Sequence, residues 1–376
     1  MKVAIVLGTR PEIIRLSCVI ERLDRLCDLH LVHTGQNFDH SLSEVFFEQL
    51  GVRAPDRYFG VSGSGFAERV GAIVSEAQRA FQDERPDRLL VLGDTDSGLS
   101  AYVAKRMGIP VLHMEAGNRC FDDRVPEEVN RRVIDTCSDL LMPYTERSRE
   151  NLLREGFPPN RVLVIGNPIK EVLDRHEAAV RAATVRSDLG LEPRRYLLLT
   201  LHRQETVDRS DRLGAMLAET AAAAEDLALP VVFSVHPRTR ERLEALGLMP
   251  GNELWRLCEP FGYFEFIALL REAACVLTDS GTVQEECCIL KVPAVTVRDV
   301  TERPETLECG GNVLAGVGSG ALRRLITVAF GGPRDFVAPR EYLVPDVSRT
   351  VAKLVLGQLP LAIPAPKTPP QPAAAL

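Results

Sequence analysis

The chain has 376 residues, 45% hydrophobic and 26% charged, which supplies enough apolar material for two globular domains. Lys and Arg number 45 against 52 Asp and Glu, and the resulting net charge of −7 argues against nucleic-acid binding through a large basic face. No run approaches the ~18 uncharged apolar residues of a membrane span, and the nine cysteines lack C-x-x-C spacing, so they read as reduced packing residues of a cytoplasmic protein.

Short apolar runs at Val3–Leu7, Leu29–His33, Arg88–Leu92, Val111–Met114, Leu140–Met142 and Val162–Ile165 predict buried strands. Between them, Pro11–Leu26, Ala67–Glu84, Leu99–Met107 and Glu127–Cys137 predict helices. The pattern restarts with strands at Tyr196–Leu201, Val231–Val235, Leu254–Leu257, Cys275–Leu277 and Ala294–Val297, separated by helices at Asp211–Asp226, Phe264–Glu272 and Thr282–Leu290. Strands alternating with helices imply βαβ units and parallel sheets. The expected class is therefore α/β, with two Rossmann-like doubly wound domains, 1–166 and 167–345, facing a cleft. Apolar spacing predicts a terminal helix within 346–358, and the Pro/Ala-rich stretch 359–376 is expected to be disordered.

Several strand-to-helix turns carry chemistry-bearing residues, and such turns lie at the carboxyl edge of a parallel sheet, where ligands bind. Gly8-Thr9-Arg10-Pro11-Glu12 follows the first strand and places Arg10 where it could hold a phosphate; the plainer reading is a capping turn with a surface arginine. Asp94, Glu115 and Glu127 come from consecutive junctions of the first domain, so these carboxylates could meet in one cleft as acid–base groups under like-charge crowding. Singly, Asp94 reads equally as a helix cap, and Glu127 as a first-turn charge favoured by the helix dipole. In the second domain, Ser280-Gly281-Thr282 opens a helix whose free N–H groups suit a diphosphate, and Glu286 could accept hydrogen bonds from a ribose diol. A cation-rich segment follows at Arg298–Glu305, whose plainer reading is a solvated salt-bridging loop; His236-Pro237-Arg238 is a weaker signal, more often a strand-end turn than a catalytic site. No G-x-G-x-x-G fingerprint, G-x-S-x-G elbow or metal-ligand spacing is present.

Taken in order, Gly8-Thr9-Arg10-Pro11-Glu12, Gly93-Asp94-Thr95, Glu115-Ala116-Gly117, Pro126-Glu127-Glu128-x-Asn130-Arg131, His202-Arg203-x-Glu205, Asp279-Ser280-Gly281-x-x-Gln284-Glu285-Glu286 and Thr301-Glu302-Arg303-Pro304-Glu305 resemble the UDP-N-acetylglucosamine 2-epimerase family. The resemblance implies a glycosyltransferase-B architecture whose last helix packs back on the first domain, and a cytoplasmic homodimer acting on a UDP-N-acetylhexosamine without metal or redox cofactor. It implies loss of the C2 proton with departure of UDP, then return of UDP with protonation on the other face. Asp94, Glu115 and Glu127 take the acid–base positions, with His202 beside the leaving group. Arg10, Arg15, His202, Arg203, Ser280, Gly281, Thr282, Glu286 and Arg303 take the substrate and UDP positions.

Departures from the family pattern bear on the sugar rather than the reaction. Arg15 stands where Lys is common, Gln204 where Arg is common, and Gly35-Gln36-Asn37-Phe38-Asp39 replaces the frequent Gly-Gln-His. The Gly117–Asp122 loop is similar to a branch acting on modified UDP-N-acetylhexosamines. A hydrolysing 2-epimerase, a glycosyltransferase of the same fold and a UDP-sugar-binding protein without turnover are the alternatives. The acidic trio argues against the last two.

Overall fold

The computed structural model describes residues 1–35, 40–61, 65–251, 253–316 and 320–359. Two six-stranded sheets organise the described chain. The first contains β1 (Lys2–Leu7), β2 (Asp28–His33), β3 (Arg57–Tyr58), β4 (Arg88–Leu92), β5 (Val111–Met114) and β6 (Leu140–Met142), in the order β3-β2-β1-β4-β5-β6. The second contains β7 (Leu197–Leu201), β8 (Val231–Val235), β9 (Trp255–Cys258), β10 (Cys275–Thr278), β11 (Ala294–Thr296) and β12 (Asn312–Leu314), in the order β12-β11-β10-β7-β8-β9. Every pairing is parallel. Both sheets are thus doubly wound, with their switch points between β1 and β4 and between β7 and β10.

Helices on both faces explain why the strands read as continuous apolar runs. In β1, Val3, Ile5 and Leu7 enter the core that continues into the second lobe, while Ala4 and Val6 pack on the opposite face. In β7, Leu198 joins that shared core, and Leu197, Leu199 and Leu201 fill the core on the other side of the second sheet. Period-two alternation therefore assigns each side chain to one face.

The last helix, Val347–Leu356, packs against the helix Arg10–Asp24 through Val347, Val351 and Val355. Arg22 Nε donates to Ser348 Oγ at 2.8 Å, and Arg88 donates to the Val355 carbonyl. The outgoing and returning chain passages touch: Asn167 N–H donates to Glu341 O at 2.9 Å, and a Cβ on Gly166 would meet Val344 Cβ at 2.7 Å.

Val162–Ile165 is not a strand. It runs beside β6, with Leu163 N–H bonding Leu141 O at 2.9 Å and Ile165 N–H bonding Pro143 O at 3.0 Å. Pro143 has no N–H to return, so the ladder stops at an isolated bridge. Residues 360–376, most of the expected disordered tail, lie outside the described residues.

Candidate active site

The turns after β1, β4 and β5 and the helix Pro126–Cys137 bring Arg10, Asp94, Glu115 and Glu127 to the carboxyl edge of the first sheet. Gly93 has φ +75°, and a Cβ there would lie 3.8 Å from Glu115 Oε2, so the β4 turn passes directly by that carboxylate. Glu115 itself has φ +70°, a left-handed conformation that costs a non-glycine residue on the order of 1–3 kcal/mol and is held by its surroundings. Those surroundings are specific. Gly117, with φ +79°, packs so tightly that a Cβ would come 2.3 Å from the Ser148 carbonyl oxygen. Asn118 Nδ2 donates to Glu115 Oε1 at 3.1 Å.

Across the cleft, the helices Gly281–Ile289 and Pro304–Glu308 supply Glu285 and, at the N-cap of the second, Arg303. Arg15 donates to Glu115 and, at 2.7 Å, to Glu285; Arg303 donates to the same two carboxylates. The four buried side chains form a closed ring of alternating charge, half from each lobe. Each ion has two partners, which offsets the desolvation that makes a single buried pair marginal.

The other two carboxylates of the trio also face arginines. Arg131 Nη2 lies 2.7 Å from Asp94 Oδ2, and Arg203 Nη1 lies 3.4 Å from Glu127 Oε1. The expected crowding of like charges is therefore replaced by one cation or more per carboxylate. Asp94 and Glu127 remain partly exposed to the cleft, whereas Glu115 is buried. Arg131 further engages Glu128 at 3.0 Å and Glu302 at 3.4 Å, and Arg298 pairs with Glu302 at 2.8 Å. The cation-rich segment is thus no solvated loop, its plainer reading, but is anchored by buried Arg298, Glu302 and Arg303.

On the second sheet's edge, His202 and Arg203 follow β7, while Asp279 and Ser280 follow β10. Asp279 Oδ2 accepts the N–H groups of both His202 and Arg203 at 2.9 Å, and its Oδ1 lies 2.9 Å from His202 Nδ1. Burial opposes ionisation of Asp279, but the adjacent His202 and these N–H groups hold its carboxyl at about 2. Ser280 is the N-cap of the helix Gly281–Ile289 without capping it through its side chain. Thr282 is in the buried first turn, and Arg303 Nη2 would lie 3.5 Å from a Cβ on Gly281. Arg10 packs over the Phe46 ring at 5.8 Å and lies near His236, whose imidazole burial pushes down to about 4 with the positive charge of Arg10 adding to the effect. His236 caps its own helix, accepting from Arg238 N–H at 3.3 Å.

Glu286 stands apart from the ring. It is buried beside Tyr263, and burial pushes its carboxyl up to about 8 against the pull of Arg15. The roles of Arg131, Glu285, Glu302 and Asp279 were not assigned from the sequence, although each lies inside a quoted motif; the last three stand next to an assigned residue, and Arg131 lies one helical turn after Glu127. Gln36–Asp39 lie outside the described residues. Among the described residues, no group of three His, Cys, Asp or Glu is arranged as metal donors, and no helix is long and apolar enough to cross a membrane.

Two doubly wound lobes meeting at their carboxyl edges around a cleft define a glycosyltransferase-B-type protein. A profile of the UDP-N-acetylglucosamine 2-epimerase family matches residues 21–354. The UDP-N-acetylglucosamine 2-epimerase of Methanocaldococcus jannaschii is 39% identical over 347 residues, covering 90% of this chain and 95% of that protein. The UDP-2,3-diacetamido-2,3-dideoxy-D-glucuronate 2-epimerase of Pseudomonas aeruginosa is 38% identical over 320 residues, covering 84% and 88%. The crystal structure of the M. jannaschii enzyme in complex with UDP-GlcNAc and UDP superposes with a TM-score of 0.90 at 38% identity, over 95% of this chain and 100% of that one. The chain belongs to the UDP-N-acetylglucosamine 2-epimerase family.

Proposed function

We propose that this protein converts a UDP-N-acetylhexosamine into its C2 epimer by eliminating UDP and adding it back through a bound 2-acetamidoglucal. The observation that carries the reading is the contact of Arg303 with Glu115, which sets a carboxylate of the sugar side against a cation suited to the diphosphate. In the first step a carboxylate takes the C2 proton while the C1–O bond breaks and its electron pair leaves with UDP. In the second, a UDP oxygen re-forms the bond to C1 while a different carboxylate delivers a proton to the other face of C2. Asp94, Glu115 and Glu127 are the proton carriers available, all drawn from one sheet edge.

The C2 hydrogen is hardly acidic, so stabilising the departing diphosphate must supply much of the rate. Arg10, Arg15, Arg203, Arg303 and the N–H groups at Ser280–Thr282 place positive charge there before the bond breaks. The ionised Asp279, with Oδ1 2.9 Å from His202 Nδ1, favours a proton on that nitrogen, which leaves Nε2 for the leaving group. Glu286, in the same helix as the Ser-Gly-Thr turn, binds the ribose.

The substrate class is supported by two relatives named for different UDP-sugars, one acetamido and one diacetamido-uronate. The reading includes a cytoplasmic homodimer. Tyr102, Val129 and Val133 leave apolar surface on neighbouring helices of the first lobe, which a second copy could cover.

The test is a panel of UDP-N-acetylhexosamines incubated with the protein in heavy water and read by proton NMR. Epimer carrying deuterium at C2 is expected. Release of UDP with free epimerised sugar as the sole products would replace this reading with the hydrolysing one, and intact substrate throughout the panel would overturn it.

A further inference from the structure

Glu12 closes the Gly8–Glu12 motif yet has no part in the chemistry described above. It is 1% exposed and sits in the first turn of the helix Arg10–Asp24. Its Oε2 accepts Gly8 N–H at 3.1 Å and the Thr9 hydroxyl at 2.7 Å. Thr9 is the N-cap, so this half of the arrangement resembles a capping box, which a helix start would use for stability alone. The other half does not. Oε1 accepts the hydroxyl of Ser97, 85 residues away in the turn after β4, and Ser97 Oγ lies 2.6 Å from Thr95 Oγ1. One buried carboxylate therefore bonds the turn that carries Arg10 and the turn that carries Asp94, at the switch point between paired strands β1 and β4.

We propose that Glu12 is a positioning residue that fixes the diphosphate-binding turn at Arg10 in register with the acid–base turn at Asp94. The inference rests on the proposed roles of those two residues. A carboxylate is suited to the task because its two oxygens accept from both turns at once, Gly8 N–H and the Thr9 hydroxyl on one and the Ser97 hydroxyl on the other. An amide in its place must present a donor to one side. Displacing a reacting group by about 1 Å can cost on the order of 10²-fold in rate, so even small slippage between the turns is measurable.

Each hydroxyl can be removed without touching Glu12, which gives a test with separable arms. Thr9→Val releases only the Arg10 side and should raise KM and the calorimetric Kd for UDP by about fivefold or more, with kcat within about twofold of the parent. Ser97→Ala releases only the Asp94 side and should lower kcat by about tenfold or more, with UDP affinity unchanged. Glu12→Gln should show both effects, and Thr9→Ser should restore parental constants. If both hydroxyl variants lose thermal stability but keep parental kcat and KM, Glu12 is a helix cap and the proposal is overturned. Changes in the same constant for both variants overturn it equally. A parent that epimerises no UDP-N-acetylhexosamine removes the proposed function first, a result distinct from an active parent whose variants fail to split.

Discussion

Arg303 Nη2 donates to Glu115 Oε1 across the cleft while its Nε donates to Glu285 within its own lobe. The same guanidinium that would meet the diphosphate therefore also holds a carboxylate proposed as a proton carrier. Replacing Glu115 by Gln removes the proton carrier and leaves Arg15 and Arg303 with Glu285 as their remaining ring partner. Turnover should fall by about 10²–10⁴-fold, the usual contribution of a general acid or base. UDP affinity, measured by calorimetry, should hold or rise, because Arg303 no longer has to leave Glu115. Weaker UDP binding together with near-parental turnover would reverse the assignment.

Asp94→Asn and Glu127→Gln test the other two carriers. The proposed mechanism has two of the three carboxylates exchange the C2 proton, so at least two of the three variants should lose about 10²-fold or more in kcat. Asp94 and Glu127 each pair with an arginine at a partly exposed position, so both variants should fold. Parental turnover in all three would reduce the trio to charge partners of Arg131, Arg203 and Arg15.

The glycines separate a required conformation from an incidental one. Gly117 combines φ +79° with a Cβ position 2.3 Å from a backbone oxygen, so Gly117→Ala should destabilise the fold by about 2–5 kcal/mol and distort the Glu115 turn. Gly71, within the helix Phe66–Glu84, has nothing within 4 Å of its Cβ position, and Gly71→Ala should stabilise by about 0.5–1 kcal/mol. Thermal melts of the two variants should therefore move in opposite directions.

The strands β4, β5, β6 and β8 have the bounds expected from sequence because each is a nearly unbroken apolar run between turns. β3 and β12 each open on a polar residue, Arg57 and Asn312, show no unbroken apolar run, and pair on one side only at a sheet edge. The site divides along the same line. Arg10, Asp94, Glu115, His202 and Ser280 were legible because a strand end announces a turn at the carboxyl edge. The ring was not: Arg15 finds Glu115 and Glu285 at separations of 100 and 270 residues, which no local pattern encodes. The acidic trio suggested repulsion for the same reason, since the arginines that answer it come from other elements.

Glu286 gives the chain a pH signature. Burial raises its carboxyl from 4.5 to about 8, so between those values the folded state holds a proton that the unfolded state has released. Its contribution to stability is present below about 4.5 and is lost as pH rises through about 8, with a slope of at most about 1.4 kcal/mol per pH unit. Glu286→Gln removes that titration. Its melting temperature should exceed the parent's by a margin that widens from pH 5 to pH 8. A constant margin across that range would show that Glu286 does not titrate there.

Asp279 has the opposite sign and a second readout. Its carboxyl is lowered from 3.8 to about 2, so its stabilisation is complete above about 3.8 and is lost as pH falls toward 2. Asp279→Asn should therefore weaken the fold most at neutral pH and converge on the parent in acid. The same change alters His202. An ionised Asp279 2.9 Å from His202 Nδ1 favours a proton there, whereas an amide can present a donor and favour the other tautomer. With Nε2 then protonated, the group proposed to face the departing diphosphate differs, and the two backbone N–H groups of His202 and Arg203 lose a charged acceptor. The expected outcome is a fall in kcat of about tenfold or more, accompanied by a shifted pH–rate profile. A variant that melts lower but keeps the parental profile would make Asp279 a support for the β7 turn and nothing more.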